Sequence, residues 1–117
     1  ESLLFGVEFA ANLLTGSAGD RYYLSEDRDL GGPLLGTRGC EEALAHIAVA
    51  DDWQRLRCAW RFAAPARVFR FPLDTVSQSE GGQERVHQGC VMVPCWPLVP
   101  GAGGRFSLEI QMAFYEE

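Results

Sequence analysis

The sequence contains no lysine, and all ten of its basic residues are arginine. Sixteen acidic residues outnumber them, so the formal net charge is −6 with histidine counted as neutral. Binding to nucleic acid rests on cationic contacts to phosphates, and this charge balance argues against such contacts. The composition therefore predicts a protein that does not bind nucleic acid.

Long apolar runs are also missing, because no stretch approaches the roughly 18 residues of a membrane-spanning helix. No secretory signal and no initiator methionine are present, and the chain opens on Glu1 within "ESLLFGVEFAANLL". We therefore expect residues 1–117 to be a single domain excised from a larger protein, without a membrane partner. With 47% hydrophobic residues, the domain is able to form a core.

Paired metal-ligand spacings are absent as well. The four cysteines are at positions 40, 58, 90 and 95. They form no CxxC pair, and His46 and His87 do not follow them at zinc-finger spacing. This pattern predicts buried free thiols, no metal and no cofactor, and reduced thiols favour a cytoplasmic location.

The clearest pattern present in the sequence is the alternation of apolar and polar residues. "RLRCAWRF" (55–62), "FSLEIQMAF" (106–114) and "FGVEFAANL" (5–13) each have a period of two, which is typical of strands with one buried face. Turn signals such as "TGSAGD" (15–20), "APA" (64–66) and "PGAGG" (100–104) separate these runs. About seven short strands predict an all-β antiparallel sandwich. Only "GCEEALAHI" (39–47) suggests a helical turn, and it also fits a loop leading into a strand.

Catalytic patterns are weak. Glu80 and Glu84 offer two carboxylates, but they flank a glycine turn where such groups are usually just solvated. Ser77 or Ser79 with His87 and Glu84 contains the residue types of a hydrolase triad, yet no G-x-S-x-G elbow is present. We therefore predict no catalytic residue in this chain.

Tryptophan residues and the polar stretch "TVSQSEGGQERVHQG" (75–89) are the other candidates for a binding site. Trp60 is in core register, whereas Trp53 and Trp96 are in positions that leave their exposure open. A hairpin needs only two to five turn residues, so the polar density of 75–89 exceeds what a turn requires. Such groups must bond to one another or to a partner where they are buried.

This stretch resembles the signature S-x-S-E-x-G-x-E-x-x-Y-Q-G in the C-terminal domain of glycoside hydrolase family 57 alpha-amylases and 4-alpha-glucanotransferases. "LFGVEF" (4–9) and "DRYY" (20–23) resemble the opening of that domain. The resemblance implies a galactose-mutarotase-like sandwich beside a catalytic barrel that carries the catalytic glutamate and aspartate of an alpha-glucan hydrolase or transferase. His87 stands where the family string has tyrosine, and the chain is shorter than the expected sandwich, which predicts an exposed edge.

The leading hypothesis is a non-catalytic accessory domain in which residues 76–89 form a structured loop. Its partners would be the catalytic barrel and, as a further candidate, an alpha-glucan oligosaccharide. The predicted outward contacts are Gln83, His87, Gln88 and Trp96. The residues predicted to structure the loop are Ser77, Ser79, Glu80, Gly81, Gly82, Glu84, Arg85 and Gly89, with an ion-pair set among Glu80, Glu84 and Arg85.

Two rival hypotheses remain open on the sequence. A mutarotase-like sugar epimerase would use His87 with Glu84 as acid and base. A pure interaction or oligomerisation module would use the apolar residues of segment 91–98 as its contact surface.

Overall fold

A computed structural model describes residues 3–12, 18–79, 81–98 and 104–116, all in strands or their connections. Antiparallel pairing joins the strands in the order β1-β6-β5-β4-β3, with β2 also paired to β6 and β7 to β5. The strands are β1 (Leu3–Gly6), β2 (Phe9–Ala11), β3 (Arg21–Leu24), β4 (Gly39–Asp51), β5 (Leu56–Ser79), β6 (Gly82–Leu98) and β7 (Ile110–Glu116). The all-β antiparallel prediction is confirmed.

Strand β5 is the central element, and an irregularity in its middle allows the sheet to fold over. Between the pairs His46↔Arg61 and Leu44↔Ala66, β4 advances by two residues and β5 by five. Pro65 lies in the extra segment, where a residue without an N–H is tolerated at a bulge. The sequence "APA" is therefore a bend within one strand and not the turn between two strands that we predicted.

Aromatic contacts show that the two halves of the folded sheet face one another. Phe9 of β2 lies 5.5 Å from Trp60, and Phe62 meets Trp96 edge to face at 5.4 Å between ring centroids. The indole Nε1 of Trp96 donates to the carbonyl of Ala64 at 2.9 Å. These contacts across the layers make the fold a sandwich, and alternation along β5 supplies much of its core.

Segment 39–47 is a strand and not a helical turn. The Asp27 carboxylate accepts hydrogen bonds from the backbone N–H groups of Ala45 and His46, at 2.7 and 3.0 Å. Ala43 has φ of 54°, and the register of β4 shifts on both sides of Leu44. A carboxylate from another segment and a bulge thus stabilise extended backbone where the local pattern suggested a helical turn.

A buried ion pair joins β3 to β4. Arg21 Nε lies 2.9 Å from Asp51 Oδ2, and the Asp51 side chain is 1% exposed. Burial favours the neutral acid, but a hydrogen bond from the Gln54 N–H and the pairing with Arg21 outweigh it and hold the pKa of Asp51 below its usual value. Asp51 is therefore a charged group inside the fold at neutral pH.

The cysteines are free thiols, as predicted, and Cys58, Cys90 and Cys95 are buried. Cys40 is exposed, so the prediction of burial is wrong for this residue, which lies opposite Phe69 near the start of β4. Across the described ranges, no cluster of three or more histidine, cysteine or acidic side chains is arranged to hold a metal ion. Nor does that part of the chain contain a helix long and apolar enough to cross a membrane.

Strand β7 leaves apolar surface at one edge of the sandwich. Its only strand partner among the described residues is β5. Met112 and Phe114 are 56% and 72% exposed beside a cavity of about 380 Å³ that Phe9 and Trp60 also line. This is the kind of uncovered edge that the short chain led us to expect.

Candidate functional site

The polar stretch forms a two-stranded arm, which we define as residues 73–89. The last pair between β4 and β5 is Gly39↔Arg70, and the last between β2 and β6 is Ala11↔Cys90. Beyond these points, in the part of the chain described, β5 and β6 pair only with each other. The predicted loop over 76–89 is therefore wrong in kind, because the segment is a hairpin ladder that continues to the pair Ser79↔Gly82.

Side-chain contacts at the base of the arm fix its shape. His87 Nδ1 lies 3.4 Å from Asp74 Oδ1 across the ladder, and Gln88 Nε2 donates to Thr75 Oγ1 at 3.2 Å. The register shifts between Leu73 and Asp74, because Gln88 is an extra residue on β6. This bulge twists the ribbon where it leaves the sandwich.

The four residues predicted to be outward contacts differ in their exposure. Gln83 is exposed, and His87 and Gln88 are partly exposed, so all three are accessible on the arm. Trp96 is 2% exposed, because its indole is enclosed by Phe62 and bonded to Ala64, so it is not an outward contact. Trp53, whose exposure the sequence left open, is 74% exposed.

Glu84 and His87 lie on opposite faces of the arm, because they are three residues apart on a paired strand. His87 opposes Asp74, and Glu84 opposes Ser77. The geometry therefore does not assemble the acid–base pair of the epimerase hypothesis. Glu80 and the side chains of Ser77, Ser79 and Arg85 lie outside what the structure describes, so the ion-pair set stays a prediction.

The glycines of the arm act in different ways. Gly82 has φ of +116°, a conformation that side-chain-bearing residues rarely adopt, as expected for a residue beside a tight hairpin turn. Gly89 is required for space, because a Cβ atom there would lie 2.4 Å from the carbonyl oxygen of Ala11. A Cβ at Gly81 would meet open space.

Exposed apolar residues accompany the polar groups of the arm. Val76 is 56% exposed, Val86 is 42% exposed and Leu73 is 44% exposed. Because side chains alternate along a strand, Val76 lies on one face of the ribbon and the other two on the opposite face. The arm therefore presents apolar surface on both sides.

The oligomerisation hypothesis placed the contact surface at residues 91–98, but most of this segment is buried in the structure. Val91, Met92 and Trp96 are each 2% exposed, and Cys95 is 9% exposed. β6 lies between β5 on one side and β1 and β2 on the other. Most of the apolar character of the segment therefore serves the core.

A second polar cluster, around His46, was missed by sequence reasoning. The His46 side chain is 4% exposed, its Nδ1 accepts a hydrogen bond from the Glu26 N–H at 3.1 Å, and its Nε2 lies 4.0 Å from Glu26 Oε1. Glu26 Oε2 pairs with Arg61 Nη2 at 2.5 Å. Burial lowers the pKa of His46, and the hydrogen bond from Arg61 lowers the pKa of Glu26. The cluster thus combines a neutral imidazole with a carboxylate–guanidinium pair.

The fold is an all-β sandwich domain with an exposed two-stranded arm. Residues 1–110 match the family model described as "Alpha-amylase/4-alpha-glucanotransferase, C-terminal". The chain belongs to this family.

Two individual proteins are similar to this chain, one in sequence and one in fold. The chain is 33% identical to Alpha-amylase 1 of Dictyoglomus thermophilum over 92 residues, which are 79% of this chain and 13% of that protein. In fold, the whole of this chain superposes on 14% of the chain in the crystal structure of 4-alpha-glucanotransferase from Thermococcus litoralis, with a TM-score of 0.64 and 20% sequence identity. The chain thus spans about one seventh of the length of each relative.

Proposed function

We propose that this chain is a non-catalytic accessory domain of a larger, cytoplasmic enzyme that hydrolyses or transfers alpha-glucans. Within that enzyme, the arm packs against the catalytic part. Membership in the C-terminal family supports the proposal, as does the small share of each relative that the chain spans. The single observation that carries the docking role is a two-stranded ribbon with apolar side chains exposed on both faces.

Energetics favour a partner for this ribbon. An isolated two-stranded hairpin is at best marginally stable in water, and the arm lacks other strand neighbours in the described structure. Burying the exposed halves of Leu73, Val76 and Val86 contributes about 1 kcal/mol each. A contact of this kind stabilises the arm and joins the domain to the surface it covers.

The polar groups suit the border of such a contact. Gln78 and Gln83 oppose each other beside the turn, and both are exposed. Asp74 and His87 form a preorganised pair on the same face. Hydrogen bonds at the rim of an interface set its register while the apolar side chains are desolvated at its centre.

The reaction itself belongs to another part of the protein under this proposal. Of the acid–base combinations considered from the sequence, the pair Glu84 and His87 is divided between opposite faces of the arm. General acid–base catalysis requires both groups within hydrogen-bond reach of the substrate. A supporting role agrees with this arrangement better than the epimerase hypothesis does.

The test uses the complete protein with Val76→Thr and Val86→Thr, each of which replaces a methyl group by a hydroxyl group and so removes apolar contact. We expect the unsubstituted complete protein to convert the alpha-1,4-glucan maltoheptaose. The double variant of the complete protein should lose activity at a lower temperature, whereas the same two substitutions should leave the unfolding of the isolated 117-residue chain unchanged. Trp53→Ala is the control, because it removes an exposed aromatic side chain outside the arm. Absence of alpha-glucan conversion in the parent protein would refute the enzyme assignment, and inactivation equal to the parent would refute docking through the arm.

A further inference from the structure

A shallow trough lies on the outer face of the layer formed by β4, the first half of β5 and β7. Register places Ala48, Ala59 and Ala113 side by side on these three strands. The neighbouring row on the same face is His46, Arg61 and Gln111. Ala48 is fully buried, whereas Ala59 and Ala113 lie between longer side chains and leave a depression of about 170 Å³, which Glu26 and Tyr115 also line.

Inside this trough, one ring nitrogen of His46 has an unused hydrogen-bonding capacity. Nδ1 accepts from the Glu26 N–H, so the neutral imidazole carries its proton on Nε2. No described residue accepts a hydrogen bond from Nε2, and its nearest carboxylate oxygen, Glu26 Oε1, is 4.0 Å away. The imidazole is thus 96% buried and held in place, while its Nε2 donor is open to a ligand in the trough.

The gap between these two atoms has the size of one hydroxyl group. An oxygen about 2.8 Å from both atoms bridges them, accepting from Nε2–H and donating to the carboxylate. The other carboxylate oxygen is engaged by Arg61, which fixes the orientation of the acceptor. A hydroxyl-bearing ligand thus completes a hydrogen-bond chain that the protein leaves open.

The surroundings select a neutral ring with an apolar face. Charges on Glu26 and Arg61 compensate each other, so the trough does not favour an ion of either sign. The alanine floor suits the C–H face of a pyranose, and Tyr115, 41% exposed, provides an aromatic wall. The depression is smaller than the 300–1,000 Å³ of typical ligand pockets, which fits one sugar ring and not an enclosed chain.

We propose that the trough binds one glucosyl residue of an alpha-glucan, with a sugar hydroxyl bridging His46 Nε2 and Glu26 Oε1. The geometry defines a pyranose polyol, and the choice of an alpha-glucan rests on the proposed function. The site lies far along β5 from the arm, because Arg61 and Asp74 are thirteen positions apart on that strand. Sugar binding and docking therefore use different surfaces.

Titration of the isotope-labelled 117-residue chain with maltotriose, followed by amide NMR shifts, tests the proposal. We expect saturable shifts centred on residues 59–61 and 111–115, with a dissociation constant of about 1–10 mM. Ala113→Leu fills the trough and should weaken binding at least tenfold, as should Glu26→Ala. Ala64→Leu is the matched control, because it adds the same bulk at an exposed alanine outside the trough.

Each other outcome of the titration has a defined meaning. Shifts that cluster on residues 74–88, or no shifts at about 20 mM maltotriose, overturn the trough site. Equal shifts with sorbitol, an acyclic polyol, also overturn it, because the alanine floor should recognise the face of a ring. None of these results bears on docking, which is tested by the arm variants in the complete protein. Absence of alpha-glucan conversion by the complete protein would instead refute the proposed enzyme assignment, whatever the outcome of the titration.

Discussion

Gly89→Ala is the substitution whose effect the structure specifies most closely. The added Cβ would lie 2.4 Å from the carbonyl oxygen of Ala11, whereas real Cβ atoms essentially never approach other heavy atoms below 3.0 Å. The obstacle is backbone, so β2 or β6 must move by about half an ångström or more. β2 pairs with β6 through only three residues and brings Phe9 onto Trp60. Overpacking of this kind costs about 1–3 kcal/mol.

Thermal and chemical unfolding of the 117-residue chain measure this cost. For a domain of this size, about 4 °C per kcal/mol predicts a fall in Tm of roughly 4–12 °C. Gly19→Ala is the matched control, since its Cβ meets no atom within 4 Å. It should change stability by less than about 0.5 kcal/mol. Equal stability of the two variants would refute the close approach of β2 to the arm's base.

Three further predictions concern the core and the thiols. The pKa of Asp51 is held low, so the stability that Asp51 contributes is complete above about pH 4 and is lost as pH falls further. Asp51→Asn should lower the free energy of unfolding by about 3 kcal/mol at pH 7 and reduce this loss of stability at acid pH, as measured by urea unfolding. The same loss at acid pH in the variant would contradict the pairing with Arg21. A thiol-specific colorimetric reagent should modify Cys40 rapidly and three thiols only on unfolding, whereas four fast thiols would contradict their burial. Trp96→Phe should cost about 1 kcal/mol or more by unpairing the Ala64 carbonyl, measured by chemical denaturation, and a neutral effect would argue against that hydrogen bond.

The sequence was informative for segment 55–62, whereas the same alternation in 106–114 predicted a buried face for Met112 and Phe114, which are exposed. Alternation in 55–62 correctly placed Cys58, Trp60 and Phe62 in the core. The period of two reports which side of a strand is buried, and that requires no knowledge of its neighbours. The all-β class follows from this local information.

Features that depend on the register between strands could not be predicted from the sequence. The pairing of β5 with β4 changes at the bulge before Ala66, and this change turns a predicted break into a bend. Trp96 carries no local signal for burial, because its enclosure depends on Phe62 and Ala64 from another strand. Local residue types do not encode such cross-strand contacts.

The two candidate sites illustrate the same division. The resemblance located the arm at 75–89, but its ladder form depends on the register of β5 with β6. The trough unites Glu26, His46 and Arg61 with β7, although they are separated along the chain. Ala59 and Ala113 form the floor of the trough only because β5 and β7 are paired in this register.

Hydrogen–deuterium exchange of the arm tests the central claim most directly. Amides of residues 73–89 are compared in the isolated 117-residue chain and in the complete protein. Docking that buries Leu73, Val76 and Val86 contributes about 3 kcal/mol, which predicts roughly hundredfold slower exchange in the complete protein. Amides of β4 in the core serve as the internal reference. Equal exchange of the arm in both proteins would contradict its role as the docking element.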